Sequence, residues 1–296
     1  MEKIDRLGWA AGISFVSYGV RVGVRANKPE ILEQVVDRLP RGWKPSRTHI
    51  VDRLYSLVVG GEGIRPNVRR FNILYGNVEK LLRTLDIDEF LQAFESDLKL
   101  HVAAGARGRV FVHAGVVGWR GLAIVIPGRS FSGKTTLVAE LVRAGATYYS
   151  DEYAVLDSKG LVHPYPRPFL VREDGKQVRY KAETLGTKSG TKPLPVGLVI
   201  VSSYKPGARW RPRTISRAEG ALALIANTVS IQRQPEAVLK TLRLAIPKTT
   251  FHKGVRGEAG QVVDHILKNF GSYEMRHRQH VMHCDAGVAG LEDHFG

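Results

Sequence analysis

The chain has 296 residues, 43% of them hydrophobic and 24% charged, which is enough for one large or two ordinary globular domains with a real core. No apolar run approaches eighteen residues, the opening MEKIDRLGWAAGISFVSYG lacks a signal-peptide pattern, and Cys284 is the single cysteine; a membrane span and an internal disulfide are therefore not expected, and a cytoplasmic location is. The formal charge is +16, and residues 1–100 hold 16 Lys and Arg against 13 Asp and Glu, so most of the basic surplus lies beyond them and favours anionic partners without choosing among nucleotide, nucleic acid and acidic peptide.

Residues 13–25, ISFVSYGVRVGVR, are rich in β-branched and aromatic residues and alternate in places, which predicts one or two strands. NKPEILEQVVDRLP has Pro29 near its start and Ile31, Val35, Val36 and Leu39 at helical spacing, and predicts a helix ended by Pro40. RLYSLVVGG predicts a strand. VEKLLRTLDIDEFLQAFESDLKLHVAAG predicts one or two helices, with Leu81, Leu82, Leu85 and Phe90, Leu91, Phe94 on buried faces. Residues 1–104 thus read as a small α/β domain, without a motif of recognisable chemistry.

The character then changes. RVFVHAGVVGW and GLAIVIP predict strands, and the Gly-rich GRSFSGKTT leads into a helix, KTTLVAELVRAG, closed by Gly145. TYYSDEYAVLD predicts one strand, and SKG turns it into LVHPYPRPFLVR, whose prolines rule out a central strand and favour a rigid edge or loop. PVGLVIVSSY predicts a buried strand, and helices follow near SRAEGALALIANT and PEAVLKTLRLAI. Residues 271–296 have weak periodicity and read as a docked or poorly ordered tail.

GRSFSGKTT, residues 128–136, has the G-x-x-x-x-G-K-T spacing of a phosphate-binding loop, between the apolar strand and apolar-periodic helix that such a motif requires. Amides of Gly128, Arg129, Ser130, Phe131, Ser132 and Gly133 would nest anionic oxygens, and the helix beginning near Lys134 adds its dipole. Lys134 would reach the β- and γ-phosphates of a nucleotide, and Thr135, followed by Thr136, would ligate Mg2+. The bland alternative is a plain strand-to-helix turn. Phosphoryl transfer also needs metal ligands and a group that orients or deprotonates the acceptor. Asp151 and Glu152, adjacent in YYSDEY, offer two acids. Strict strand geometry would send them to opposite faces, whereas a bulge or strand end would let both converge on the phosphates. One buried, hydrogen-bonded acid beside a solvated one is the structural alternative. His113, in VFVHAGVV, reads as a core or edge histidine or as a catalytic one.

Taken together, HAG, GRSFSGKTT and SDEY resemble the HPr kinase/phosphorylase family and its wider set of HPr-kinase-like proteins. In that family a His-Gly strand precedes the P-loop and an adjacent acidic pair follows it; here Asp151 stands seventeen residues after Lys134. HPYPRPFLVR and RPRTISRAEGALALIANTV are similar to later stretches of those relatives. The resemblance implies an α/β P-loop kinase core over residues 105–270, related to phosphoenolpyruvate carboxykinase and built on a mixed sheet, with ATP and Mg2+ as cofactors. It implies that Asp151 deprotonates or orients the acceptor hydroxyl, that Glu152, standing where the family usually has a second Asp, joins Thr135 on Mg2+, and that Lys134 holds the phosphates. His113 would contact the transferred phosphate or position Asp151. Two departures stand out: the family's His-Gly reads His113-Ala114-Gly115, and the late Gly-rich signature of bifunctional members is missing, so reverse phosphorolysis is not implied.

The expected function is an ATP-dependent kinase acting on a serine-type hydroxyl of a protein or peptide, and a homo-oligomer is compatible with it. A small-molecule kinase for free serine or a sugar, and a non-catalytic, nucleotide-gated binding module, are the alternatives. YKPGARWRPRTISR gathers Lys205, Arg209, Arg211, Arg213 and Arg217 around Trp210, and reads as a clamp for nucleotide or acidic peptide or as a solvated turn. No nucleic-acid recognition motif accompanies it, so nucleic acid is not an expected partner. His277, His280, His283 and Cys284 lack the second pair of ligands that a zinc site needs.

Overall fold

The computed structural model describes residues 3–61, 70–128, 132–167, 169–173, 176–180, 189–268 and 270. The chain divides into two units, Met1–Gly108 and Arg109–Gly296, and each is a mixed sheet with helices, an α/β architecture. No helix among the described residues is long and apolar enough to cross a membrane.

In the first unit β1 (Ala11–Ser17) and β2 (Val20–Ala26) form a hairpin, followed by α1 (Ile31–Val36), β3 (Lys44–Pro45), β4 (Arg53–Val58), β5 (Asn72–Gly76), β6 (Glu79–Thr84) and α2 (Ile87–Gly105). The sheet order is β3-β1-β2-β4-β5-β6; β2 and β4 run parallel and the other neighbours antiparallel. Helix α2 packs Phe90, Leu91, Phe94 and Leu98 into one core with Phe15, Val22, Tyr55, Leu57 and Leu74 of the sheet. Residues 79–85 correct the sequence reading. Glu79–Thr84 of this stretch form a strand, not the start of a helix, because Asn77 at φ 56° turns the chain back along β5. The helix begins only after Asp86, whose side chain accepts the Asp88 and Glu89 amides. Leu81 and Leu82 are half-buried on β6, while Leu85 is exposed. Helix α1 likewise ends at Val36, short of Pro40, and leaves Val36 exposed.

The second unit opens with β7 (Arg109–Trp119) and β8 (Leu122–Pro127), joined across Arg120 and Gly121 at φ 48° and 79°, the backbone of a tight primed turn. Then come α3 (Lys134–Arg143), β9 (Thr147–Ser150), β10 (Tyr153–Asp157), β11 (Leu161–His163), a separate hairpin of β12 (Phe169–Glu173) and β13 (Lys176–Tyr180), β14 (Leu194–Tyr204), β15 (Arg213–Thr214), α4 (Arg217–Ile225), α5 (Pro235–Ala245), β16 (Thr250–Arg256) and α6 (residues 259–268). The sheet order is β11-β10-β7-β8-β14-β16-β15, with β9 also on β7. Because β8, β14 and β16 are parallel, Pro127, Tyr204 and Arg256 end at the same edge of the sheet. Strand β11 pairs with both β10 and β14, so β7, β8, β14, β11 and β10 close into a ring.

Even the fully buried β8 shows a period of two. Ile124 and Ile126 share a cluster with Leu137 and Leu141 of α3 and Val262 and Ile266 of α6, while Ala123 and Val125 join Leu224 of α4 and Leu242 of α5. Helix α3 approaches β7 over bare backbone, since a Cβ on Gly115 would lie 2.5 Å from Val138 Cγ2. Gly115→Ala should therefore push α3 outward and cost about 1–3 kcal/mol, measured as a lowered urea midpoint against wild type; an unchanged midpoint would contradict this packing.

Candidate active site

The turn after β8 is anchored at both ends. The Gly128 amide donates to the His113 carbonyl at 3.1 Å, which ties it to β7. Gly133 takes the left-handed conformation at φ 78° and precedes α3 with no side chain capping the helix. The first-turn amides of a helix have no intrahelical partner, and they carry the positive end of its dipole. A Cβ on Gly128 would lie 2.8 Å from Ser132 Oγ, a buried hydroxyl without a hydrogen-bond partner among the described residues. Behind the turn, Arg256 at the end of β16 is 2% exposed and donates from Nη2 to the Gly133 carbonyl at 2.8 Å and from Nη1 to the Gly257 carbonyl at 3.1 Å. Burial holds its pKa below the ordinary Arg value, against the opposing pull of Glu258. Arg129, Ser130 and Phe131 lie outside the described residues. Thr136 is exposed on the first turn of α3.

The acid pair owes its geometry to Ser150. Its Oγ accepts the amides of Glu152 at 3.1 Å and Tyr153 at 3.0 Å, a side-chain turn that competes with the sheet ladder. TYYSDEYAVLD is therefore two strands rather than one. Strand β9 pairs with Val116–Gly118 of β7, β10 pairs with Arg109–His113, and Asp151 and Glu152 fall in the break. Freed from strand alternation, both acids face one guanidinium, that of Arg167. Asp151 Oδ2 accepts from Thr135 Oγ1 at 3.2 Å, and its Oδ1 accepts from the Tyr148 hydroxyl at 3.0 Å. Glu152 Oε2 is ion-paired with Arg167 Nη1, and Arg167 Nε stands 3.9 Å from Asp151 Oδ1.

Arg167 arrives on the proline-framed loop after β11. The Tyr165 amide donates to the Tyr149 carbonyl at 3.0 Å, and the Tyr165 ring meets Phe111 and Tyr153 edge-on, each at 5.9 Å between centroids. His113 pairs in register with Tyr153, their rings 4.8 Å apart. Burial raises the pKa of Asp151, with Arg167 as the largest opposing influence and the Tyr148 and Thr135 hydrogen bonds adding to it. Burial lowers Lys134, and the charges of Asp151 and Glu152 oppose it. Burial also lowers His113; Glu152 pulls it back and Lys134 pushes further, so the surroundings favour the neutral imidazole. Lys134, His113 and both acids thus share one electrostatic pocket.

Thr135 and Asp151 offer only oxygen donors, the chemistry of a hard cation such as Mg2+. Among the described residues no group of three or more His, Cys, Asp or Glu side chains could hold a metal ion by itself. The acid on the Thr135 hydroxyl is Asp151, while Glu152, the acid expected beside Thr135 from the family resemblance, is engaged by Arg167. Sequence reasoning misses Tyr148, Arg167 and Arg256. The signals available were a tyrosine three residues before the first acid and an arginine framed by prolines soon after the pair. Lys205, Arg209 and Arg211 are exposed after β14, and Arg213 is paired with Glu219 at 3.0 Å. His277, His280, His283 and Cys284 lie outside the described residues.

The raised pKa of Asp151 has a consequence for stability. Its ordinary value is 3.8, so between 3.8 and the higher folded value the native chain binds more protons than the unfolded chain, and stability falls as pH rises through that window. Asp151→Asn removes this decline: the variant should be more stable than wild type at neutral pH, with the advantage vanishing as pH falls toward 3.8. Urea unfolding at a series of pH values reads the slope, and parallel curves for the two proteins would contradict it. No family model matches the chain and no curated protein is detectably similar to it in sequence.

Proposed function

We propose that the chain is an ATP-dependent kinase of the HPr kinase type, with a P-loop core, that transfers the γ-phosphoryl group to a serine-type hydroxyl of a protein or peptide. The observation that carries this reading is the hydrogen bond from Thr135 to Asp151. It joins the hydroxyl that a P-loop offers to Mg2+ with a buried carboxylate from the neighbouring strands. A site that merely bound anions would gain nothing from two carboxylates beside its lysine, which argues against a non-catalytic module.

In this reading the amides of the 128–133 turn and Lys134 take the phosphates. Thr135 and Asp151 would hold Mg2+, which would offset the negative charge of the phosphates. Glu152 and His113 serve the acceptor. Asp151 is nearly closed to solvent and already accepts two hydrogen bonds, which leaves little room for an acceptor proton. The Glu152 side chain is 27% exposed and can be reached. These observations favour exchanging the roles that the family resemblance gives the two acids. The serine oxygen then forms a new bond to the γ-phosphorus while the bond from that phosphorus to the oxygen bridging the β-phosphate breaks. ADP leaves with the electron pair, and the hydroxyl proton passes to Glu152 and on to water. Because Glu152 is ion-paired, much of its contribution is orientation of the hydroxyl. Exposed Lys205, Arg209 and Arg211 follow β14 at the edge where the parallel strands end, the usual ligand side of such sheets, and support an acidic peptide over a small closed pocket.

Transfer of labelled γ-phosphate from ATP, in Mg2+, to a panel of serine peptides tests the reading. Label should enter acidic peptides. Glu152→Gln should lower kcat by about 10²–10⁴-fold with ATP affinity nearly unchanged. Label found only in free serine or sugars would replace the peptide acceptor with a small molecule. Bound ATP that passes its phosphate to no acceptor would overturn the kinase.

A further inference from the structure

We propose that Arg167 is a built-in counter-cation that holds the acid pair until a divalent metal takes Asp151 from it, which makes metal binding depend on nucleotide. This rests on the reading of Asp151 as the metal-side acid. One guanidinium faces both carboxylates, paired closely with Glu152 and loosely, at 3.9 Å, with Asp151. The loose contact lies on the carboxylate that also accepts the Thr135 hydrogen bond. A dication held by Thr135 and Asp151 would stand beside the guanidinium, and two cations that close in a largely buried pocket repel strongly.

The charges show why the arrangement is stable without ligand. Lys134 and Arg167 balance Asp151 and Glu152, and the Arg167 side chain is only 15% exposed. Adding a metal alone upsets this balance. Adding a nucleotide with it supplies negative charge for both cations to share, so the two ligands favour each other's binding. The loop lets the side chain respond without moving the backbone: Pro164 and Pro166 stiffen it, and Tyr165 is fixed by its amide bond to Tyr149 and its ring contacts with Phe111 and Tyr153.

A simple brace and a competing cation predict opposite outcomes when Arg167 is removed. Losing a brace loosens the acids and weakens metal binding, whereas losing a competitor strengthens it. Mn2+ binding to the nucleotide-free full chain, followed by the paramagnetic resonance of free Mn2+, separates them. Arg167→Gln should bind Mn2+ about tenfold more tightly or better, since freeing a buried acid of its partner leaves a charge that the metal can satisfy. Arg167→Lys should stay close to wild type, and the gain in Mn2+ affinity produced by a non-hydrolysable ATP analogue should shrink in Arg167→Gln. Equal or weaker Mn2+ binding by a folded Arg167→Gln chain overturns the proposal. Should that variant fail to fold, the wild-type chain decides: the Arg167 Nε–H resonance should shift on adding Mg2+ but not on adding Na+ at equal ionic strength, and a resonance unmoved at saturating Mg2+ overturns the proposal. Neither measurement uses an acceptor, so failure here leaves the phosphate-transfer result standing, and failure of transfer leaves the metal competition readable.

Discussion

The Ser150 hydroxyl, by accepting two consecutive amides, breaks a strand that would otherwise run unbroken along β7. Everything distinctive about the site follows from that break. In a continuous strand one of two adjacent acids points away from its neighbour. At the break both reach one guanidinium, and Asp151 reaches the first turn of α3. The same break leaves the Glu152 carbonyl to accept the Ala114 amide, so the main chain stays bonded to β7 while the side chains are redirected. A local side-chain turn thus couples the two halves of the site, glycine-rich turn and acid pair, through β7.

Burying a carboxylate such as Asp151 works against folding unless it is paired and hydrogen-bonded. Asp151 keeps a raised pKa despite a guanidinium and two hydroxyl donors. Such an uncomfortable group is typical of sites that spend stability on chemistry, where the missing stabilisation arrives with the ligand. His113 and Lys134 show the same pattern from the basic side, each disfavoured in its charged form by burial. Acidic and basic members of the pocket are thus both disfavoured as charges by burial and held by one another.

How much of this can be read from sequence depends on whether the deciding contact is local. The strand, turn and helix around residues 122–143 are legible because a continuous apolar run, a Gly-rich turn and a helical apolar period follow one another directly. The α/β class is legible for the same reason. VEKLLRT misleads because its leucines suit either a helix or a half-buried strand, and the outcome is settled by Asn77 and the Asp86 cap flanking it. The break at Asp151 is half legible: the acids are visible, but Ser150 reads as one more strand residue until the two pairings of β7 are known. Arg167 and Arg256 are illegible. Arg167 acts across 15 residues from a loop that reads as a connector, and Arg256 braces Gly133 across 123.

The ring formed by β7, β8, β14, β11 and β10 bears on how the site can move. A strand inside a closed circuit is held on both flanks and cannot fray by itself, so its amides should exchange with solvent only when the whole circuit opens. Three of the pieces that meet at the pocket, the start of β10, the middle of β7 and the end of β8, belong to that circuit. Any adjustment in the pocket must then come from side-chain rotation rather than from movement of these strands, so its geometry is largely set during folding.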